Sequence, residues 1–178
     1  MLPVDRQTAW NALNDPEALK AAIPGCELIE RTGDNEFAVA MTSVIGPVKA
    51  KFRGKLALSD VVPPERYTLH FEGQGGPAGF SKGSARVELA EEGGQTRLTY
   101  SVTAQVGGRI AQVGQRLIDA AAGKLADDFF AAFASRLAEQ AGIVSNGATP
   151  AAARASTPWL WIAIALIALI AAVAVAMR

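Results

Sequence analysis

The side chains that most often perform chemistry are scarce in this chain. Its 178 residues include one histidine, His70, and one cysteine, Cys26. Transition-metal sites use several His, Cys or carboxylate ligands at short fixed spacings, and the sequence contains no such cluster. His70 alternates with Leu69 and Phe71, so we expect it on the outer face of a strand, and no nucleophile elbow accompanies it. The sequence therefore predicts neither a metal site nor a catalytic residue.

Charge is balanced over the whole chain but uneven along it. Lys and Arg together number 17, as do Asp and Glu, which excludes a chain-wide basic field for nucleic acid. Lys49, Lys51, Arg53 and Lys55 alternate along one predicted strand and form what we call the basic stripe. The basic stripe either contacts anionic lipid headgroups or an acidic partner, or is a solvated face whose lysines protect a sheet edge.

A glycine-rich segment spans residues 71–83, with the sequence FEGQGGPAGFSKG. It follows a strand pattern, but no helix N-terminus comes next, which argues against a phosphate loop. We interpret it as a permissive hairpin at the open end of the sheet that gates a cavity, with Phe80 as the large apolar side chain among its glycines. The alternative is a turn without a function.

The pattern upstream of this segment changes from helical to alternating. Leu2–Val4 is predicted as a short strand, a helix over Arg6–Leu13 is capped by Asp5, and a second helix starts at Pro16 after the cap Asp15. Beyond Cys26, apolar residues alternate with polar ones, which predicts strands in an antiparallel meander. These strands are placed at Glu36–Val44, Val48–Leu58, Tyr67–Phe71, Ala85–Leu89 and Thr96–Ala104.

A long amphipathic helix is predicted from about Ile110 to Gln140, lying across the sheet. Ala120–Gly123 near its middle are small, and small side chains leave space that a filled core would not. The sequence thus predicts an apolar cavity, although core packing is the alternative role for each lining residue. The predicted lining is Phe52, Leu69, Phe71, Phe80, Leu98, Tyr100, Val113, Leu117, Ala121, Leu125 and Phe129.

The C-terminal part of the sequence has a different character. Residues 159–177 carry no charge, and about 19 residues of helix would cover about 28 Å, close to a bilayer's hydrocarbon core. Trp159 and Trp161 suit the headgroup boundary. We therefore expect a domain over residues 1–141, a flexible linker over 142–158 and a single-pass anchor over 159–177. Because Met1–Ala12 resembles no secretory signal, the domain is expected on the cytoplasmic side of the cytoplasmic membrane.

The order of these elements resembles the helix-grip fold of the START/SRPBCC superfamily. Four segments, residues 10–26, 45–55, 71–83 and 104–118, make the chain similar to the CoxG family of carbon monoxide dehydrogenase subunits. That family has a longer first strand than the Met1–Val4 remnant here. The resemblance implies a non-enzymatic accessory protein that recruits a molybdenum-containing carbon monoxide dehydrogenase, or a related molybdenum hydroxylase, to the membrane.

The same resemblance implies that the cavity binds or shuttles a respiratory quinone. Two other functions stay open at this point. One is a lipid-binding or polyketide cyclase-like enzyme with Tyr100 or Arg97 as its polar catalyst. The other is a membrane dock with a filled core and no ligand.

Overall fold

The computed structural model describes residues 1–142, and residues 143–178 lie outside the described part of the chain. Within the described part the architecture is α+β, as the sequence predicts. Two short helices precede a six-stranded antiparallel sheet, and one long helix follows it.

The two N-terminal helices begin where the sequence places their caps. Helix α1 spans Arg6–Leu13 and helix α2 spans Pro16–Ala22. Asp5 and Asp15 each accept a hydrogen bond from a backbone N–H in the first turn of their helix, at 2.9 and 3.0 Å. Such caps satisfy donors that would otherwise lack a partner, which confirms both predicted starts.

The predicted first strand is reduced to a single antiparallel bridge. The backbone of Leu2 exchanges two hydrogen bonds with Thr96, at 2.8 and 3.1 Å. The Thr96 hydroxyl, which is fully buried, donates to the Val4 carbonyl at 2.8 Å. This bridge fixes the N-terminal segment to the edge of the sheet.

The six strands pair in chain order, which confirms the predicted meander for the five strands that the sequence placed. The strand at Cys26–Arg31, which precedes them, was not predicted. Several strands are longer than their apolar alternation indicated, because pairing continues into polar and glycine-rich residues. Their bounds are β1 Cys26–Arg31, β2 Glu36–Ile45, β3 Val48–Val62, β4 Arg66–Gln74, β5 Phe80–Glu92 and β6 Gln95–Gly107.

One row of paired residues shows how the sheet divides into two faces. Phe37, Leu56, Phe71, Gly83 and Ala104 are successive cross-strand partners from β2 to β6. Four of them are buried and the glycine is half-buried. Since side chains alternate along a strand, this row defines the inner face, on which the helices lie.

The sheet has two ends, which we call upper and lower. The β2–β3 turn at 46–47, the β4–β5 connection at 75–79 and the segment 108–114 lie at the upper end. The turns at 32–35, 63–65 and 93–94 lie at the lower end.

Helix α3 spans Gln115–Gln140 and starts five residues later than predicted. The reason is Gly114, whose φ of +94° is incompatible with a right-handed helix. Before it, Ala111–Val113 form a short 3₁₀ turn, and Ile110 is fully buried outside the helix.

Aromatic packing is dense around the C-terminal half of α3 and the lower part of the sheet. Phe133 is fully buried and stacks on Phe129, with ring centroids 5.4 Å apart. Trp10 from α1 meets Tyr67 of β4 edge to face at 5.6 Å. These contacts supply much of the hydrophobic stabilisation of the domain.

Candidate apolar ligand site

Four of the predicted lining residues form an enclosed floor between the sheet and α3. Phe52, Leu69, Phe71 and Phe129 are each at most 4% exposed. They belong to β3, β4 and α3 and lie in one continuous core. These four residues therefore occupy core positions, and a ligand bound at the inner face would lie against them.

Two glycines of the glycine-rich segment pack directly against two of these rings. A Cβ atom on Gly75 would lie 2.5 Å from Cε1 of Phe52, and one on Gly83 would lie 2.6 Å from Cζ of Phe71. A side chain at either position would displace a ring or the backbone. The predicted permissive hairpin is therefore mostly paired strand, and these two glycines serve ring packing.

Inner-face residues near the upper end keep contact with solvent. Val48 and Ala50 of β3 share the inner face with the buried Phe52, yet both are only half-buried. The same holds for Val102 and Val106 of β6. In a filled core such side chains would be buried, so α3 covers the sheet incompletely here. We call the part of the inner face that carries the partly accessible side chains of Val48, Ala50, Val102 and Val106 the apolar cleft.

The N-terminal half of α3 and the turn before it border this region. Ala121, Leu125 and Val113 are half-buried and pack against the core. Leu117, in contrast, is 46% exposed, while its neighbour Ile118 is 2% exposed. The prediction that Leu117 faces inward is wrong. The helix begins at Gln115, and with this start Ile118, the residue after Leu117, faces the sheet.

Leu98 and Tyr100 occupy the inner face of β6 and are both half-buried. The Tyr100 ring packs against Ala126 and lies 6.2 Å from the Phe130 ring centroid. No group within residues 1–142 hydrogen bonds to its hydroxyl. Burial, assisted by the negative charge of Asp127, raises the pKa of Tyr100 well above its usual range. The side chain is thus a neutral hydrogen-bond donor on an apolar wall.

Phe80 does not join the other predicted lining residues. It precedes the buried Ser81 on β5, so alternation places it on the outer face, where it is 38% exposed. A Cβ atom on Gly107 would overlap its ring, which shows that the ring lies against that glycine. The prediction that Phe80 lines the cavity is wrong, because β5 begins at Phe80 and the alternation of side chains along the strand directs this ring outward.

The basic stripe lies on the outer face of β3, as its alternation predicts, and all four residues are exposed. The four side chains are not equally available to bind an external anion. Lys51 pairs with Glu27 of β1, whose other carboxylate oxygen accepts a hydrogen bond from Thr42 at 2.7 Å. The two hydrogen bonds hold the pKa of Glu27 below its usual value. Lys51 is therefore largely neutralised, which leaves Lys49, Arg53 and Lys55.

A groove of about 550 Å³ on the outer face is a feature that the sequence analysis missed. Ala38 and Ala57 lie between the longer side chains of Lys55, His70 and Glu72, and this difference in length creates the depression. Its signal in the sequence is a pair of alanines at outward positions of neighbouring strands. His70 is exposed, as predicted, and its Nε2 lies 2.9 Å from a serine hydroxyl of β3.

Reactive and metal-binding groups are sparse in the described domain. Burial raises the pKa of the half-buried Cys26 thiol, so the unreactive protonated form dominates. Across residues 1–142 no three His, Cys, Asp or Glu side chains lie close enough together to hold a metal ion.

The predicted linker and anchor fall almost wholly beyond the described domain. Apart from residue 142, the linker over 142–158 lies outside the described residues, as do the anchor over 159–177 and both Trp159 and Trp161. Among residues 1–142, no helix combines the length and the apolar character needed to cross a bilayer.

Comparison with known proteins relates the described domain to one protein family. The family model for CoxG, a carbon monoxide dehydrogenase subunit, matches residues 2–138. A conserved protein from Geobacillus kaustophilus is 32% identical with a TM-score of 0.73, and the match covers 78% of this chain and 91% of that one. No protein of curated function matches the sequence.

Two more distant solved structures share the fold. The protein TTHA0849 from Thermus thermophilus is 16% identical, with a TM-score of 0.54 and coverage of 78% and 93% of the two chains. The Zhui aromatase/cyclase from a Streptomyces species is 10% identical, with a TM-score of 0.57 and coverage of 79% and 90%. At these identities the likeness concerns the fold alone, and it agrees with the predicted helix-grip architecture.

Proposed function

Because the chain belongs to the CoxG family of carbon monoxide dehydrogenase subunits, we propose that it is an accessory protein that binds a respiratory quinone in its apolar cleft. In this proposal it recruits a molybdenum-containing carbon monoxide dehydrogenase, or a related molybdenum hydroxylase, to the cytoplasmic membrane. The quinone then passes between the bilayer and that enzyme, and the chain itself supplies no redox group.

The observation that carries the ligand proposal is that the inner face combines accessible aliphatic side chains with a hydroxyl group, that of Tyr100. The apolar cleft offers accessible aliphatic side chains, which suit an isoprenoid tail that is nearly insoluble in water. Tyr100 adds one hydroxyl with no hydrogen-bond partner in residues 1–142. A quinone combines an apolar body with carbonyl oxygens that accept hydrogen bonds, so its chemistry matches both the apolar cleft and the Tyr100 hydroxyl.

The predicted tether gives the cleft access to the bilayer. A flexible linker of about 17 residues would have an r.m.s. span of roughly 20 to 25 Å. An anchor over 159–177 would thus hold the domain within one domain diameter of the lipid surface. Deleting residues 159–178 should move the protein from the membrane pellet to the soluble fraction. A truncated form that stays in the pellet would contradict this role for the anchor.

Native mass spectrometry of the full chain, extracted in mild detergent from the membranes in which it is made, tests the ligand directly. We expect a co-purifying mass that equals a quinone of the host. A domain free of ligand that still binds the dehydrogenase would refute the carrier role and support a membrane dock. Conversion of a bound lipid or polyketide by the purified protein would instead support a cyclase-like enzyme.

The cyclase-like function has weaker chemical support in this chain. A general acid or base needs a pKa near the working pH, and burial keeps Tyr100 protonated throughout the physiological range. Arg97, the other candidate catalyst, is exposed and forms an ion pair with Glu92. Neither side chain is poised to exchange a proton with a ligand.

A further inference from the structure

Three chain segments meet at the upper end of the sheet, the end at which Val48 and Val106 of the apolar cleft lie. The amide of Ile110 donates to the Ala78 carbonyl at 2.9 Å, which holds segment 108–114 against the β4–β5 connection. At its other side, a Cβ atom on Gly46 would lie 3.3 Å from Cδ1 of Leu117, so the start of α3 lies over the β2–β3 turn. The upper end is thus one continuous surface.

Three cations on this surface are free to bind an external anion. Lys49, Arg109 and Arg116 are exposed, and none of them forms an ion pair within residues 1–142. The first acidic residue of α3 is Asp119, which accepts a hydrogen bond from Gln115 at 2.6 Å. We call Lys49, Arg109 and Arg116 the basic rim.

Exposed apolar side chains accompany the basic rim. Val44 at the tip of β2 is 59% exposed and pairs across the ladder with Lys49. Leu117 is 46% exposed next to Arg116. They are two of the few large apolar side chains that the described domain exposes to this degree. Aliphatic groups beside unpaired cations are the pattern of surfaces that enter the headgroup layer of a bilayer.

The lower end carries more acidic than basic side chains, although the chain as a whole is neutral. Asp34, Glu65, Glu91 and Glu92 lie in or near its three turns and are all exposed. Two of these carboxylates are partly offset, because Glu65 pairs with Arg6 and Glu92 pairs with Arg97. An anionic surface would attract the upper end more strongly than the lower one, so the domain would arrive with its upper end towards the lipid.

We propose that the basic rim, with Val44 and Leu117, is a docking surface for a bilayer containing anionic phospholipid, and that docking places the upper end of the apolar cleft against the lipid. The biological purpose of this surface rests on the proposed function, since a lipid-soluble ligand needs a path from bilayer to cleft. Docking itself requires no quinone, so the two proposals can fail separately.

Vesicle co-sedimentation of residues 1–142 tests the docking surface. This part contains the complete sheet and core. The match to the solved Geobacillus kaustophilus relative, which covers 78% of this chain, accounts for 91% of that protein, so we treat residues 1–142 as a folded unit. We expect binding to vesicles of 30% phosphatidylglycerol in phosphatidylcholine and little binding to phosphatidylcholine alone. Raising NaCl from 0.1 to 0.5 M should weaken binding, because the screening length shortens.

The decisive comparison uses two triple variants of equal net charge. Changing Lys49, Arg109 and Arg116 to Gln should lower the partition coefficient about 100-fold, at roughly five-fold for each charge removed. The control changes Arg66, Arg86 and Arg97 to Gln, which are exposed cations on the outer face away from the basic rim. The control should bind within about two-fold of the parent, and circular dichroism melts confirm that both variants fold.

Three results would overturn the proposal. The basic-rim variant could bind like the parent, the control could lose as much as the basic-rim variant, or the parent could ignore anionic vesicles. In the last case, loss of binding to the dehydrogenase in the basic-rim variant would identify the surface as a protein interface. Ligand co-purification by native mass spectrometry is read separately, and its failure leaves vesicle binding unchanged.

A fluorescence measurement locates the surface on the membrane. In residues 1–142 the single native tryptophan, Trp10, is buried. A Leu117→Trp variant should shift its emission to the blue on addition of the phosphatidylglycerol vesicles, since the indole enters a less polar layer. Ala90→Trp, at an exposed position on the outer face of β5, is the matched control and should show no shift. A shift in the control alone would refute the assigned orientation.

Discussion

Replacing Tyr100 by phenylalanine removes one hydroxyl and leaves the ring contacts with Ala126 and Phe130 in place. Because nothing in residues 1–142 hydrogen bonds to that hydroxyl, the free energy of unfolding of the ligand-free domain should change by less than about 0.5 kcal/mol. A bound quinone would lose one hydrogen bond to a carbonyl oxygen, with a net value of about 0.5 to 1.5 kcal/mol. The dissociation constant should therefore rise by about 2- to 12-fold.

Isothermal titration calorimetry with a ubiquinone and a menaquinone of two isoprene units measures this change, and urea unfolding measures stability. A saturated hydrocarbon of similar length, which has no carbonyl, should bind the parent and the Tyr100→Phe variant equally. Tyr67→Phe is the matched control, because Tyr67 is buried against Trp10 in the core beside α1. Equal quinone affinity in the parent and Tyr100→Phe, or an equal loss in Tyr67→Phe, would refute the assignment.

Three further predictions concern ligand access, packing and pH. Ala121→Trp, which fills the half-buried border of the apolar cleft, should abolish quinone binding in the same titration, whereas Ala131→Trp at an exposed position of α3 should not. Phe133→Ala should lower the free energy of unfolding by about 3 to 5 kcal/mol in urea, since the ring is fully buried; a loss below about 1 kcal/mol would contradict the packing. The pKa of Glu27 is lowered by its hydrogen bonds with Lys51 and a threonine, so its stabilising effect is present above its usual pKa and is lost as pH falls through the lowered folded value. The melting temperature between pH 6 and pH 3 should accordingly fall less steeply in Glu27→Gln than in the parent, and identical slopes would count against the pair.

Local rules predicted the starts of the first two helices and the order of the strands. Asp5 and Asp15 cap through contacts within three residues, so the chemistry needed for the prediction is adjacent in sequence. The alternation of apolar residues from β2 to β6 likewise identified the inner face, as the buried cross-strand row from Phe37 to Ala104 confirms. Strand ends were less predictable, because cross-strand hydrogen bonds extend pairing beyond the apolar alternation.

The errors fall where a short break changes which face a residue occupies. The spacing of Ile110, Val113 and Leu117 fits one continuous helix, but the positive φ of Gly114 delays the helix and brings Ile118 inward instead. The glycines around Phe80 predict a loop, whereas Phe80 is the first paired residue of β5 and therefore lies on the outer face of the sheet. Shifting a strand by one residue exchanges its two faces, so such an error moves a side chain across the whole sheet.

The sequence alone determined the caps of the first two helices, the inner face of the strands from β2 to β6 and the balance of charge, because each depends on residue type and short-range spacing. Only the tertiary structure decided that the rings of Phe52 and Phe71 pack against Gly75 and Gly83 and that Lys51 is neutralised by Glu27. It also decided that Lys49, Arg109 and Arg116 share one end of the sheet with the accessible apolar side chains. These relationships join residues that lie far apart along the chain. They arise from strand register and from the way segment 108–114 crosses the end of the sheet, which no local pattern encodes.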